Sequence, residues 1–220
     1  MNVTIKGKPV FGHLHIVLEP GESLIAESDA MASMSSGLDM DARFNGGFFS
    51  ALVRKYLGGE SLFVNQFTNN TSVSQSLTVT QPMPGDVFGI ELTGNSFYLQ
   101  PGAFVACTPA IKLSIAWAGL ASFIAKEGLF RLKVSGHGQV WFGAFGGLVE
   151  KHIEGEYIVD TSHLVGYEPG FKLNIQMAGG FFSSIFGGEG LVTRMKGTGK
   201  VIIQTRSINS LATWINRFLP

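Results

Sequence analysis

"YLGGESLFVNQFTNN" (residues 56–70) joins two glycines and a glutamate to an alternating run, and its reading decides the fold. "SLFVNQF" places Leu62, Val64 and Gln66 on one face and Phe63, Asn65 and Phe67 on the other, the period of a β-strand. Gly58-Gly59-Glu60, beside Arg54-Lys55, has two readings: an anion-binding loop, or the joint that delivers the chain into that strand. Upstream, "GGFFSALVRKYLGG" sets Phe48, Leu52 and Tyr56 at helical spacing. A short helix with Gly58 as its C-terminal cap is therefore expected there.

The two-residue period continues along most of the chain. "DVFGIELTGNSFYLQPG" alternates between turn signals at Pro84-Gly85, Gly94-Asn95 and Pro101-Gly102. "GQVWFGAFGG" and "GKVIIQTRS" read as short strands, each preceded by Gly-x-Gly, and "GEYIVD" follows the same style. Short strands punctuated by Gly, Pro and Asn define an all-β sandwich or barrel. A second helical stretch, residues 209–220, puts Leu211, Trp214, Ile215 and Phe218 on one stripe with Asn209 or Ser210 as N-cap. That stripe is expected to pack on the body or on a neighbouring subunit.

Internal similarity settles the two readings of residues 58–60. "FSALVRKYLGGESLFVNQF", "LASFIAKEGLFRLKVSGHGQVWF" and "FFSSIFGGEGLVTRMKGTGKVII" each run from an aromatic-apolar stretch through a glutamate into a strand. The glutamates are Glu60, Glu127 and Glu189, and a second set of similar stretches begins near residues 20, 94 and 155. The expectation is one domain, 1–220, of three related β-units (1–83, 84–150 and 151–208) followed by the terminal helix. Gly58, Gly59, Glu60, Glu127 and Glu189 are then structural joints, and Asp160 opens a turn in "VDTSH".

Composition narrows the function classes. Of 220 residues, 45% are hydrophobic and only 15% charged, so burial material is ample. Sixteen basic and sixteen acidic residues cancel, which removes the electrostatic footprint of a nucleic-acid binder and the self-repulsion that keeps copies apart. The single cysteine, Cys107 in "GAFVACTPAI", allows no internal disulfide and reads as a small buried hydrophobe. The N-terminal stretch has no signal-peptide pattern. The uncharged run 92–111 is broken by Gly94, Pro101, Gly102 and Pro109, so no transmembrane helix is expected and a cytoplasmic location is.

Each chemical constellation has a structural counterpart that explains it. His13 and His15 share one face of a strand and are the weak metal candidates, but His137, His152 and His163 lie in other units without companion spacing. Asp160, Ser162 and His163 are adjacent in sequence, not placed by a nucleophile elbow, and read as a turn between strands. The Gly-x-Gly motifs are too short for a phosphate loop and mark close backbone approach. Phe181, Phe182, Ile185 and Phe186 read as core or interface, or as a membrane-facing patch if exposed. No catalytic residue and no cofactor is expected.

"RKYLGGESLFVNQFTN", with "PGESLIAESDAMASMS" and "GEYIVDTSHLVGYE", resembles the mitochondrial biogenesis family named for altered inheritance of mitochondria. Its prokaryotic members have no assigned role. The resemblance implies a double-stranded β-helix or barrel-sandwich fold similar to the trp RNA-binding attenuation protein, three pseudo-repeated units and oligomeric assembly, a trimer being favoured. It supplies no catalytic residues. Eukaryotic relatives are linked to the mitochondrial inner membrane, so peripheral membrane contact enters by analogy. The expected function is a non-catalytic scaffold or interaction protein with a protein partner. A cupin-like metal or small-ligand protein is the alternative, and RNA binding rests on fold analogy alone.

Overall fold

"HLHIVL" forms a strand because every second side chain can leave water: Leu14, Ile16 and Leu18 are fully buried while His13, His15 and Val17 are half-exposed. The same logic builds the rest of the computed structural model, which describes residues 1–44, 63–100, 102–117, 130–177 and 191–219. The fold is all-β. Residues 1–83 carry β1 (Asn2–Lys6), β2 (His13–Leu18), β3 (Ser23–Glu27), β4 (Met31–Met34), β5 (Leu38–Phe44), β6 (Phe63–Asn69) and β7 (Gln75–Thr80). Residues 84–150 carry β8 (Val87–Leu99), β9 (Phe104–Cys107), β10 (Ile111–Trp117) and β11 (Phe130–Gly143). Then come β12 (Leu148–Asp160), β13 (Leu164–Tyr167), β14 (Lys172–Met177), β15 (Leu191–Gln204) and helix α1 (Ile208–Asn216).

Antiparallel pairing organises these strands. β8 lies along β11, whose other edge takes β9 and β10, and β12 lies along β15, whose other edge takes β13 and β14. In the first segment β2 pairs β7 and β3 pairs β6, with β4 beside β7 and β5 beside β6. β1 covers the outer edge of β2. Across segment boundaries β9 pairs β3 and β13 pairs β8, which ties most strands into one large sheet ordered β12-β15-β13-β8-β11-β9-β3-β6-β5.

Around β6 both faces of this sheet are covered. Val64 sits in a core with Leu92, Phe97, Phe104, Val140 and Phe142, whereas Phe67 on the same strand sits in another with Leu14, Ile16, Leu77 and Trp141. Residues three apart on a strand point to opposite faces, so β6 separates two cores. A third core gathers Ile153, Val159, Leu164, Tyr167, Met195 and Val201. Fully buried Leu, Ile or Phe side chains contribute about 1.5–3 kcal/mol each in apolar transfer.

Three local expectations are corrected. Gly94-Asn95 is not a turn: β8 runs through it, with Gly94 at φ +103° and the register slipping opposite Gly136, a β-bulge. The Thr93 N–H donates to Asn95 Oδ1 at 3.0 Å and holds the bulge. The Gly-x-Gly motifs do not precede strands but lie inside β11 and β15, where a Cβ at Gly136 or Gly197 would stand 2.7 Å from the carbonyl of Ala110 or Gly170. The terminal helix begins at Ile208, and Ser207 rather than Asn209 or Ser210 caps it by accepting the Ser210 N–H. The short helix expected within residues 46–59 lies outside the described residues, as do Gly58, Gly59, Glu60, Glu127, Glu189, Phe181, Phe182, Ile185 and Phe186.

Candidate functional site

The strand period puts His13 and His15 side by side on the outer face of β2. Their cross-strand neighbours are Lys6 and Thr80 beside His13, and Thr4 and Thr78 beside His15. His13 Nδ1 pairs with the Phe11 carbonyl at 3.2 Å. A metal site needs three or more ligands around one point. Among the described residues no further His, Cys, Asp or Glu joins this pair. The cross-strand neighbour of His13 is a lysine, Lys6, the wrong charge beside a cation site.

Asp160 does what an Asp at the head of a turn does. It caps the short 3₁₀ turn Thr161–His163, accepting the Ser162 N–H at 2.8 Å and the Ser162 hydroxyl at 2.6 Å. His163 faces elsewhere, its Nδ1 on the Gln204 carbonyl at 2.7 Å. Gln204 returns through its Nε2 to the Ser162 carbonyl at 2.8 Å. Asp160 thus bonds the serine and not the histidine, so no Asp–His–Ser relay is assembled. The group locks the corner between β12 and β13.

Cys107 is fully buried in the core that holds Val64, Phe104 and Phe142, and burial pushes its thiol up to about 12. A nucleophilic cysteine needs the opposite shift and access to solvent.

What the structure leaves open is surface. On α1, Ile208, Leu211, Trp214 and Ile215 are exposed, as is Phe218 just past its end, and none of the helix's residues is buried. The helix thus buries none of its side chains fully against the described part of the body. The Trp214 and Phe218 rings meet edge-on at 5.1 Å, a ridge on that face. A second open feature is the outer edge of β12, where a shallow groove of about 370 Å³ is lined by Lys151, His152, Ile153, Glu154, Glu156 and Tyr157. Successive residues of one strand reach both faces of a sheet, so this groove follows the edge itself. Sequence patterning marks alternation but not which strand ends a sheet, and neither β12's edge position nor its groove had a sequence signal.

No described helix is long and apolar enough to cross a membrane. These features define the class: an all-β body of antiparallel sheets with a short amphipathic helix at its end. The family model for Mitochondrial biogenesis AIM24 matches residues 3–206, and the chain belongs to that family. Helix α1 lies beyond the match. An uncharacterised protein of Streptococcus pyogenes serotype M6 is 26% identical over 229 residues, covering 100% of this chain and 92% of the relative. The crystal structure of a Streptococcus pyogenes protein shares the fold with a TM-score of 0.80 at 25% identity, covering 99% of both chains.

Proposed function

We propose that this protein is a non-catalytic interaction scaffold: three related β-units (1–83, 84–150 and 151–208) that assemble as a homo-oligomer and offer α1 to a partner protein. The observation that carries the reading is the bare apolar face of α1 and of the turn after it, with Trp214 57% and Phe218 71% exposed. Several large side chains left in water on one short helix are a docking face rather than scattered surface hydrophobes.

A hydrogen-bond clamp supports the three-unit reading. Ser35 donates its N–H to the Ser76 carbonyl (2.9 Å) while its hydroxyl accepts the Ser76 N–H (3.0 Å). Thr108 does the same with Gln139, at 3.0 and 3.1 Å, and Glu168 with Lys200, at 2.9 and 2.8 Å. Three different side chains meet one geometric need at corresponding places.

The test uses the full chain and its Leu211→Lys/Ile215→Lys variant. Light scattering should give an oligomer for the parent, and crosslinking capture from native cells should recover a protein set that the variant loses. A strictly monomeric parent whose captured set is unchanged by the two lysines would end the scaffold reading.

A further inference from the structure

We propose that copies of this chain join head to tail by strand pairing, the C-terminal half of β12 in one copy lying against β4 of the next. The inference deepens the scaffold reading and rests on it.

Two joins of one kind already exist inside the chain. At the first, β9 pairs β3 with Ile25 opposite Cys107 and Ala26 opposite Ala106. At the second, β13 pairs β8 with Tyr98 opposite Tyr167 and Leu99 opposite Gly166, extended by the Gln100 N–H on the Val165 carbonyl at 2.8 Å. In each case a short four-residue strand inserts against the preceding segment.

β4 has the build of that inserting strand. Met34 lies opposite Leu77 as Cys107 lies opposite Val140 and Tyr167 opposite Val201. The clamp residue follows at once in all three (Ser35, Thr108, Glu168). Each strand also carries a register slip one step earlier, between Met31 and Ser33, between the partners of Phe104 and Ala106, and between Leu164 and Gly166. Yet β4 pairs β7 alone, and among the described residues its other edge has no partner.

β12 shows the matching vacancy. Its residues 156–160 pair β15 as Tyr98 and Leu99 pair β11, with Ile158 opposite Arg194 where Tyr98 is opposite Lys133. Among the described residues its outer edge pairs nothing. Ile25 and Tyr98, at the corresponding places of the two formed joins, are half-buried, whereas Ile158 is 49% exposed.

An open strand edge invites another strand unless charge guards it. The first half of β12 is guarded by exposed Glu150, Lys151, His152 and Glu154. Tyr157-Ile158-Val159 carries no charge, nor does Met31-Ala32-Ser33-Met34. Continuing the internal joins fixes the register: Ile158 opposite Met34 and Val159 opposite Ser33. β12 and β4 belong to different sheets and do not pair within one chain, so the occupant is a second copy. Such a contact is heterologous and either closes a ring or extends.

The test mixes two single-cysteine chains, Ile158→Cys and Met34→Cys, with a short bis-maleimide; the native Cys107 is fully buried and does not compete. A crosslinked pair of chains, formed by the mixture and by neither variant alone, is the expected result. Ile158→Lys, an exposed change that leaves the cores intact, should raise the dissociation concentration tenfold or more, while Val149→Lys on the guarded half should not. An oligomeric parent with no 34–158 crosslink and an unmoved Ile158→Lys overturns this joint and leaves the scaffold reading standing. A crosslink confined to single chains carrying both cysteines overturns it as well. A monomeric parent removes this joint, and the scaffold reading falls with it only when the captured set is also unchanged by the two lysines.

Discussion

Tyr98 and Tyr167 stack across the boundary between the second and third segments, ring centroids 5.2 Å apart and planes 21° from parallel. Tyr167 meets Phe171 edge-on as well, at 6.4 Å. Burial, the largest influence, pushes the pKa of the Tyr167 hydroxyl above its ordinary value, and Arg131 partly opposes it. This boundary is thus held by aromatic packing as well as by ladder hydrogen bonds. Tyr167→Ala should destabilise by about 3–5 kcal/mol, as for other large buried aromatics. A double-mutant cycle with Tyr98→Ala in urea should return a coupling of about 0.5–1.5 kcal/mol. Strict additivity would mean that the stack is contact without energy.

Glycine is required in β15 for a reason that the same strand pair tests internally. Gly197 has φ +154° and backs onto the Gly170 carbonyl, whereas Gly155, directly opposite, has φ +94° and open space where a Cβ would go. Gly155→Ala should cost about 1–2 kcal/mol, the conformational penalty alone. Gly197→Ala adds a backbone collision and should cost more, about 2–4 kcal/mol, since stored strain of about 1–3 kcal/mol adds to the crowding. Equal losses in chemical denaturation would show that the close approach relaxes freely.

Asn69, at the end of β6, is the centre of the hydrogen bonds that hold the loop to β7. Its Nδ2 donates to the Leu18 and Val73 carbonyls, both at 2.8 Å. Its Oδ1 accepts the Thr71 N–H at 3.0 Å and the Thr71 hydroxyl at 2.7 Å. Asn69→Ala orphans these groups at about 1–3 kcal/mol per buried one, so a loss of about 2–4 kcal/mol is expected. At roughly 2–4 °C per kcal/mol for a chain of this size, the melting temperature should fall by about 5–15 °C. Asn69→Asp should fare no better, because a carboxylate turns both donations into repulsion between oxygens.

Period-two alternation was enough to read the all-β class, because one-sided burial writes itself into every second residue, as in His13–Leu18. It could not place the strand ends. Gly94-Asn95 carries the same residue types whether the chain turns or bulges, and only the partner strand with Gly136 decides. The bare face of α1 was half legible: the stripe Leu211, Trp214, Ile215 and Phe218 declared an apolar side, but burial is a property of neighbours. Asn69 was passed over because a buried amide has no periodic signal and reads as one more loop residue. The β12 edge was invisible for a related reason, since edge and centre differ only in what lies alongside.

Cys107 sits opposite Ile25 at the first boundary, fully buried, with burial raising its thiol from the ordinary 9.0 to about 12. A thiol held neutral in the fold should ignore a water-soluble disulfide reagent at pH 8 and react once urea unfolds the chain. The sign of the pH effect follows from proton counts. Below about pH 9 both folded and unfolded chains keep the proton, so Cys107 leaves stability unchanged. Between about 9 and about 12 the unfolded chain releases it and the folded chain does not, so stability falls as pH rises. Lysine and tyrosine titrate in the same range, which makes the variant the deciding measurement. Cys107→Ala should be less stable at pH 7 through the small cavity it leaves, and its stability should decline less steeply from pH 9 upward. Parallel declines for the two chains, or rapid thiol reaction in the native state, would place Cys107 in contact with water and undo the packing assigned to this boundary.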